Sequence, residues 1–377
     1  MSDNHLHIIS FDVPWPPNYG GVIDVYYKLV ALNKKGIRIH LHCFQYGREE
    51  SRVLENLCES VQYYQRKSGI FSELSIKPYI VRSRRSELLM DNLSHDHYPI
   101  LFEGLHTCSF LSDPRLNGRK KIYRESNIEH HYYFHLFKAE KNIFKKFFHL
   151  SESLKLKLYQ KKLKNADLML TISQTDTEYL KKHFPNNNIQ YIPSFHPNDK
   201  FAVLPGKGEY ALYHGKLSVM ENLRAAEFLI KKVFAGLKKK LIIAGLEPPS
   251  GLRSLIDKHK NVELAEDLDD EQMFNLIRNA QINVLVTFQA TGLKLKLLNT
   301  LFQGRFCLVN PDMVQGTGLE SLCEIAENAD ALRNKVEGLF IKPFDLAKIE
   351  ARKTILQQNY SNQKNSEKLI SLVFDGQ

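Results

Sequence analysis

Cysteine is sparse and unpatterned in this chain of 377 residues. The five present (Cys43, Cys58, Cys108, Cys307 and Cys323) include no CxxC pair, and an odd number without that spacing fits reduced, packed thiols. A zinc site and a disulfide framework are thereby excluded. No apolar run approaches the ~20 residues of a membrane helix. The opening Met1-Ser-Asp-Asn-His5 lacks a basic-then-apolar export signal. A cytoplasmic protein is expected. No Ser-His-Asp set, no obvious pair of catalytic carboxylates and no nucleic-acid motif can be found. What is present is length and positive charge. The chain is too long for one ordinary core, suits two domains, and its 43% hydrophobic content suffices for both. A formal charge of +10 with a pI near 9.1 points to an anionic partner: nucleic acid, nucleotide or membrane surface.

The most informative stretch runs from Thr287 to Gly304. It follows a mostly apolar run, Ile282 to Val286, that reads as a buried parallel strand. Leu293, Leu297, Leu298 and Leu301 then recur at helical spacing, with Gly304 as the stop. Thr291 and Gly292 therefore fall on a strand-to-helix turn, where free N–H groups and the helix dipole favour an anion. Lys294 and Lys296 lie in the first turns, where cations oppose the dipole, and a bound phosphate would justify them. Solvated surface lysines are the plainer alternative.

Earlier in the chain, His5 to Phe11 reads as a strand and Asp12 to Gly21 as a proline-rich loop. Gly20 and Gly21 in that loop permit close backbone approach to a ligand. A helix from Val22 to Leu32 and a strand from Ile37 to Phe44 complete half of a doubly wound domain. Tyr98 to His106 is a further strand, expected to deliver Glu103 and His106 to its carboxyl end. Lys120 to Tyr123 is the next. The polar cluster Arg124 to Tyr133, containing Asn127 and Glu129, opens the longest helical segment, with Ser126 or Asn127 as its cap. Between Lys138 and Lys164, nine lysines stand against two glutamates, interleaved with Phe144, Phe147, Phe148 and leucines. A basic, aromatic-bearing segment of this kind suits an anionic lipid surface, with Lys141, Lys145, Lys146 and Lys155 as candidate contacts. RNA binding competes on charge alone.

Strands are expected again at Asp167 to Ile172 and Ile189 to Pro193. Asn198 to Glu209 reads as a linker, and the α/β pattern restarts at Tyr210 to Gly215. The expected organisation is an N-terminal Rossmann-like domain over 1–197, a linker over 198–209 and a second Rossmann-like domain over 210–358. A helix over 359–377 is expected to pack back on the first domain. Asp267 and Asp269 form a DxD, more readily explained as helix capping than as a metal site.

Three features in this order, Gly20-Gly21 after the first strand, Tyr213-His-Gly-Lys-Leu-Ser218 and Thr291-Gly-Leu-Lys-Leu-Lys-Leu-Leu-Asn299, resemble retaining glycosyltransferases of family 4. Asn165-Ala-Asp-Leu-Met-Leu-Thr-Ile-Ser173 extends the resemblance over nearly the whole chain. It implies a GT-B fold, two Rossmann-like α/β domains facing across a cleft. It further implies a nucleotide-sugar donor on the C-terminal domain and a glycan or lipid-linked acceptor on the N-terminal one. Neither a cofactor nor a metal is implied, and nucleic acid is not expected as a partner. His106 matches the family's cleft histidine beside the transferred sugar. Gly20, Gly21, Glu103, Asn127 and Glu129 are the candidates for an acceptor or phosphate loop. Lys216, Thr291, Gly292, Lys294, Lys296 and Asn299 are the candidates for donor binding. The family's arginine and lysine that grip the diphosphate are here Lys216 and Glu221, and its two glutamates are Thr291 and Asn299. Lys294 and Lys296 would restore the charge lost at Glu221. A hexosyltransferase at the inner face of the membrane is the leading expectation. A catalytically impaired, glycosyltransferase-like scaffold at the membrane is the rival, favoured by those replacements and opposed by His106 and Lys216.

Overall fold

The central apolar runs become strands buried on both faces, as parallel strands covered by helices must be. In the computed structural model, which describes residues 4–67, 75–288 and 295–375, they assemble into two sheets. The chain divides into one unit of Met1–His196 with Asn362–Gln377 and another of Pro197–Ser361.

The first unit contains β1 (His5–Ser10), β2 (Arg38–Gln45), β3 (Ser60–Gln65), β4 (Ile100–Glu103), β5 (Lys121–Arg124), β6 (Leu168–Thr171) and β7 (Asn188–Tyr191). All pair in parallel, in the order β3-β2-β1-β4-β5-β6-β7. Alternate residues serve the two faces. Leu6 and Ile8 pack with Val25 and Leu29 of the helix Gly20–Asn33 and with Leu369 and Val373 of the helix Asn362–Phe374. Ile9 and Phe102 pack on the opposite side with Leu89, Leu105 and Leu156. The second unit contains β8 (Tyr210–His214), β9 (Lys240–Ala244), β10 (Val262–Ala265), β11 (Ile282–Leu285), β12 (Phe306–Val309) and β13 (Glu324–Ile325). Their order is β10-β9-β8-β11-β12-β13, again all parallel. Both orders reverse direction at one place, β1/β4 and β8/β11. In open α/β sheets ligands collect at the carboxyl ends of the strands flanking that switch point. Among the described residues no helix is long and apolar enough to cross a membrane.

Some local expectations change. The long lysine-bearing segment is two helices, Glu129–Ala139 and Ile143–Tyr159. Glu140 Oε1 accepts the N–H groups of Lys141 and Asn142, and Asn142 Oδ1 caps Phe144 and Lys145, so the chain turns between them. The residue preceding the first of these helices is Ile128, without a side-chain cap, rather than Ser126 or Asn127. Asp269 does cap its helix, in a reciprocal box with Gln272.

A buried charge network lies under the ends of β4 and β5. Lys28 Nζ donates to Asp24 at 3.0 Å and to Glu103 at 2.6 Å. Arg124 donates to Asp24 at 3.1 Å and to the carbonyls of Ile192 and Pro193 at 2.7 and 3.0 Å. Asp24 also accepts the Phe195 N–H at 2.7 Å. Burial alone would raise the Asp24 carboxyl, but Arg124 and Lys28 outweigh it and hold it at about 2.

Four histidines stand on neighbouring strands, His5 and His7 on β1 and His40 and His42 on β2. His7 Nε2 donates to Asp96 at 3.0 Å, so its Nδ1 accepts from His42 Nε2 at 2.8 Å, and His42 Nδ1 accepts from the Tyr64 hydroxyl at 2.8 Å. Every proton in this relay is assigned with both rings neutral. Burial lowers His7 to about 4, against the pull of Asp96. The folded-state value lies below the unfolded one of about 6.5, so the unfolded chain protonates first as pH falls. A His7→Gln variant keeps hydrogen-bonding groups but does not titrate. Between pH 6.5 and about 4, wild type should lose roughly 3 kcal/mol relative to this variant in urea unfolding. The comparison isolates the relay from buried Glu125 and Glu129, whose raised pKa values act in the opposite sense. A difference that stays constant with pH would refute the relay.

Candidate functional site

In the first unit the loop after β1 is held from within. Asp12 accepts the Val13 N–H at 2.9 Å and the Tyr19 hydroxyl at 2.8 Å, while Arg48 donates to the carbonyls of Val13 and Pro16. The following helix starts at Gly20, two residues earlier than expected. A Cβ on Gly21 would stand 2.6 Å from the ring of Phe11, so glycine there makes room for Phe11. Gly20 faces open space. Strand β4 ends at Glu103, not at His106. Gly104, at φ 71°, turns the chain so that His106 sits in the 3₁₀ turn Leu105–Phe110.

His106 and Glu129 are brought together, with Nδ1 3.8 Å from Oε1 and the imidazole against Phe11 at 5.4 Å between ring centres. Nδ1 is buried and makes no hydrogen bond. Burial holds His106 well below the ordinary histidine value, and the charges of Arg84 and Arg66 push the same way. Burial raises Glu129 to about 8 despite the pull of Arg84. At neutral pH the pair is therefore a neutral imidazole beside a largely protonated carboxyl group. Asn127 lies at the same end of the sheet, its N–H donating to Glu125 at 3.2 Å. Glu103 does not join them. It is turned inward and spent on Lys28, a partner that lies 75 positions away.

In the second unit the carboxyl ends of β8 and β9 almost touch, since a Cβ on Gly245 would meet the Gly215 carbonyl oxygen at 1.8 Å. Lys216 and Lys296 are gathered on one residue. Asn222 donates to the Lys216 carbonyl at 3.0 Å and accepts from Lys296 Nζ at 3.1 Å. The Lys216 ammonium pairs with Glu247 at 3.0 Å and is nearly half exposed. Lys296 also lies over the Tyr213 ring, 5.2 Å from its centre. Burial, then the Lys296 charge, lower neighbouring His214 to about 3. Glu221 accepts from the Thr287 hydroxyl just past β11, and Asn310 clamps the Thr287 backbone through both its N–H and its carbonyl. This gives the acid at 221 a structural task. Asn299 stands one turn beyond Lys296, its Oδ1 accepting from Asn198 at 2.8 Å. Thr291, Gly292 and Lys294 lie outside the described residues.

Arg84, Arg66 and Arg224 were not anticipated. Arg224 lies 4.4 Å over Phe288, just past the end of β11. Nothing in the run Arg82-Ser-Arg-Arg85 marks Arg84 out in the sequence, and only burial sets it apart.

No protein-family model matches the chain. It is 28% identical over 344 residues to a Klebsiella pneumoniae protein described as an uncharacterized 44.6 kDa protein in the cps region, covering 87% of this chain and 80% of that protein. Among solved structures it is similar to WaaG, a glycosyltransferase involved in lipopolysaccharide biosynthesis, at a TM-score of 0.68 and 13% identity over 98% of this chain and 100% of that one. A second is an S. aureus TarM variant in complex with fondaparinux, α-GlcNAc-glycerol and UDP, at a TM-score of 0.67 and 9% identity over 99% and 100% of the two chains. A third is the Thermosynechococcus elongatus sucrose-phosphate synthase, at a TM-score of 0.65 and 15% identity over 98% and 95%. The fold is that of the GT-B glycosyltransferases. The expectation of two Rossmann-like α/β domains holds.

If the Asn222-linked lysines hold an anion at the β8/β11 switch point, Lys296→Ala and Lys216→Ala should each weaken binding of a nucleoside diphosphate by about 1–3 kcal/mol in calorimetry. Lys231→Ala, an exposed lysine paired with Glu227, is the control. Affinity unchanged in both site variants would remove the lysines from the site.

Proposed function

We infer that this protein is a retaining hexosyltransferase that moves a sugar from a nucleotide-sugar donor to a glycan or lipid-linked acceptor in the building of a surface polysaccharide. The observation that carries the reading is Asn222 at the β8/β11 switch point of a GT-B fold, which holds the Lys296 ammonium and the backbone carbonyl of Lys216. The cps-region relative and the lipopolysaccharide role printed for WaaG support the choice of product.

In this reading the second unit binds the donor. Lys216 and Lys296 neutralise the diphosphate as negative charge grows on it, the stage at which preorganised cations lower the barrier. The amide nitrogen of Asn299 donates to a ribose hydroxyl. A donor phosphate oxygen takes the proton of the incoming hydroxyl on the face the leaving group vacates, so configuration is retained. The protein's task is positioning and charge stabilisation, without a side-chain nucleophile and without a metal. Neutral His106 hydrogen bonds the transferred sugar, with Glu129 behind it. The reaction takes place in the cytoplasm. Thermal shift with UDP-, GDP- and TDP-sugars should single out one nucleotide, with a stabilisation of about 2.7 kcal/mol at a hundredfold excess over Kd. With that donor, His106→Ala should reduce turnover far more than donor affinity. No response to any nucleotide sugar, or full turnover in the variant, would sink the reading.

Peripheral membrane attachment rests on a separate observation. At the turn between the helices Glu129–Ala139 and Ile143–Tyr159, Ile143, Phe144 and Phe147 are 60%, 82% and 65% exposed, beside exposed Lys141 and Lys145. Lys146 lies over Phe137, and Lys155 is instead bonded to buried Glu152 at 3.0 Å, which withdraws it from the expected set. Apolar tips ringed by lysines suit an anionic bilayer, at about 1 kcal/mol per lysine near the surface. Sedimentation with phosphatidylglycerol vesicles should occur at low salt, fade as salt rises, and be lost when Lys141, Lys145 and Lys146 become glutamine. Binding indifferent to those changes would make the lysines a solvated face. Vesicle binding without turnover would favour the scaffold role.

A further inference from the structure

Arg84 is the least expected charge in the first unit. Its side chain is 6% exposed, and two of its guanidinium nitrogens are committed to backbone, Nε to the Phe11 carbonyl at 2.7 Å and Nη1 to the Ile80 carbonyl at 2.9 Å. No carboxylate among the described residues lies within ion-pair distance of it. The charge of Asp12 reaches it from a distance and is shared with other partners. Asp12 is spent on the Val13 N–H and the Tyr19 hydroxyl, with Arg48 3.7 Å away, and burial keeps Glu129 largely protonated. A buried guanidinium without a counter-charge is costly.

The structure adds a second cation instead of relieving the first. Arg66 lies over the rings of Tyr46 and Tyr79, at 4.4 and 5.1 Å, and donates through Nε to Ser83 Oγ at 3.1 Å. Each arginine is thus fixed at one end and keeps donors at the other. Ser83, which holds Arg66, directly precedes Arg84, and Phe11, whose carbonyl holds Arg84, packs on His106, whose buried Nδ1 has no partner and lies 3.8 Å from Glu129. Two like charges held together in a low-dielectric site, beside a neutral imidazole and a carboxyl group able to donate, form a receptor for an anion rather than for a neutral sugar. Arginine forks match phosphate oxygens, and a protonated carboxyl adds a donor where a carboxylate would repel.

We propose that Arg84 and Arg66 bind a phosphate group of the acceptor beside His106, so that the acceptor of this enzyme is phosphorylated. This rests on the glycosyltransferase reading for the word acceptor, while the anion site itself stands on the first unit alone. The phosphate would belong either to a soluble sugar phosphate or to the diphosphate of a lipid carrier, and the chemistry at the two arginines is the same.

The test uses the full chain carrying Lys216→Ala and Lys296→Ala, which silences the second unit's lysines. Inorganic phosphate is titrated by calorimetry, with glucose 6-phosphate and farnesyl diphosphate as probes of the two sources. Phosphate should still bind to this background, and Arg84→Gln or Arg66→Gln should weaken it at least tenfold. Arg84 also ties Phe11 to Ile80, so far-ultraviolet circular dichroism checks each variant. Arg66→Gln, which loses no backbone contact, keeps the test valid if Arg84→Gln unfolds. The organic probe that binds tighter, and loses that advantage in the arginine variants, names the source. Phosphate binding absent from the folded background, or unchanged in folded Arg66→Gln, overturns the proposal. Phosphate binding that depends on the arginines in a protein that binds no nucleotide sugar would leave this site standing and remove the transferase reading.

Discussion

The first unit is organised over one interaction, the closed set of Asp24, Lys28, Glu103 and Arg124. Two acids and two bases, each under a tenth exposed, neutralise one another in the layer between the helix Gly20–Asn33 and the sheet. Because Arg124 also takes the carbonyls of Ile192 and Pro193, the set fastens the helix, the ends of β4 and β5, and the segment after β7 to a single point. Removing one partner from a buried pair of this kind typically costs about 3–5 kcal/mol, because the remaining charge is left without compensation. The network is the floor of the candidate site. It fixes where β4 stops, and hence where Gly104 can turn and present His106.

The two switch points solve the same problem by different chemistry. At β1/β4, His106 and Glu129 are kept uncharged by burial, and the positive charge stands on Arg84 and Arg66. At β8/β11 the cations are lysines that remain partly hydrated, Lys296 held by the neutral amide of Asn222 and Lys216 paired with Glu247. Lys296 also lies over the Tyr213 ring. Glu221 is directed to Thr287.

Most strands were legible in the sequence because a parallel strand buried on both faces is a short, mostly apolar run, as at Ile282 to Val286, whereas β3, β12 and β13 were not read from it. The ends of elements were less so. The break at Glu140–Asn142 depends on two side chains capping neighbouring N–H groups inside a run of lysines, where composition suggests one continuous helix. His106 and Glu129 could be proposed because both follow strands directly. The fate of Glu103 could not, since it is decided by a lysine on another element. Arg84 left no local signal: its neighbours in sequence are charged and its burial arises from Phe11 and Ile80, which the fold brings to it.

The helix Asn362–Phe374 belongs to the first unit although the whole second unit precedes it in the chain. Leu369 and Val373 are fully enclosed against the same apolar surface as Val25 and Leu29, and Glu367 pairs with Lys35 at 2.6 Å. On the ribosome, β1 to β7 therefore emerge with one flank uncovered, and that flank stays uncovered throughout synthesis of the second unit. The first unit can close only after the second has left the exit tunnel. For that interval the nascent chain displays an apolar strip on its earliest-made half, a natural foothold for a chaperone.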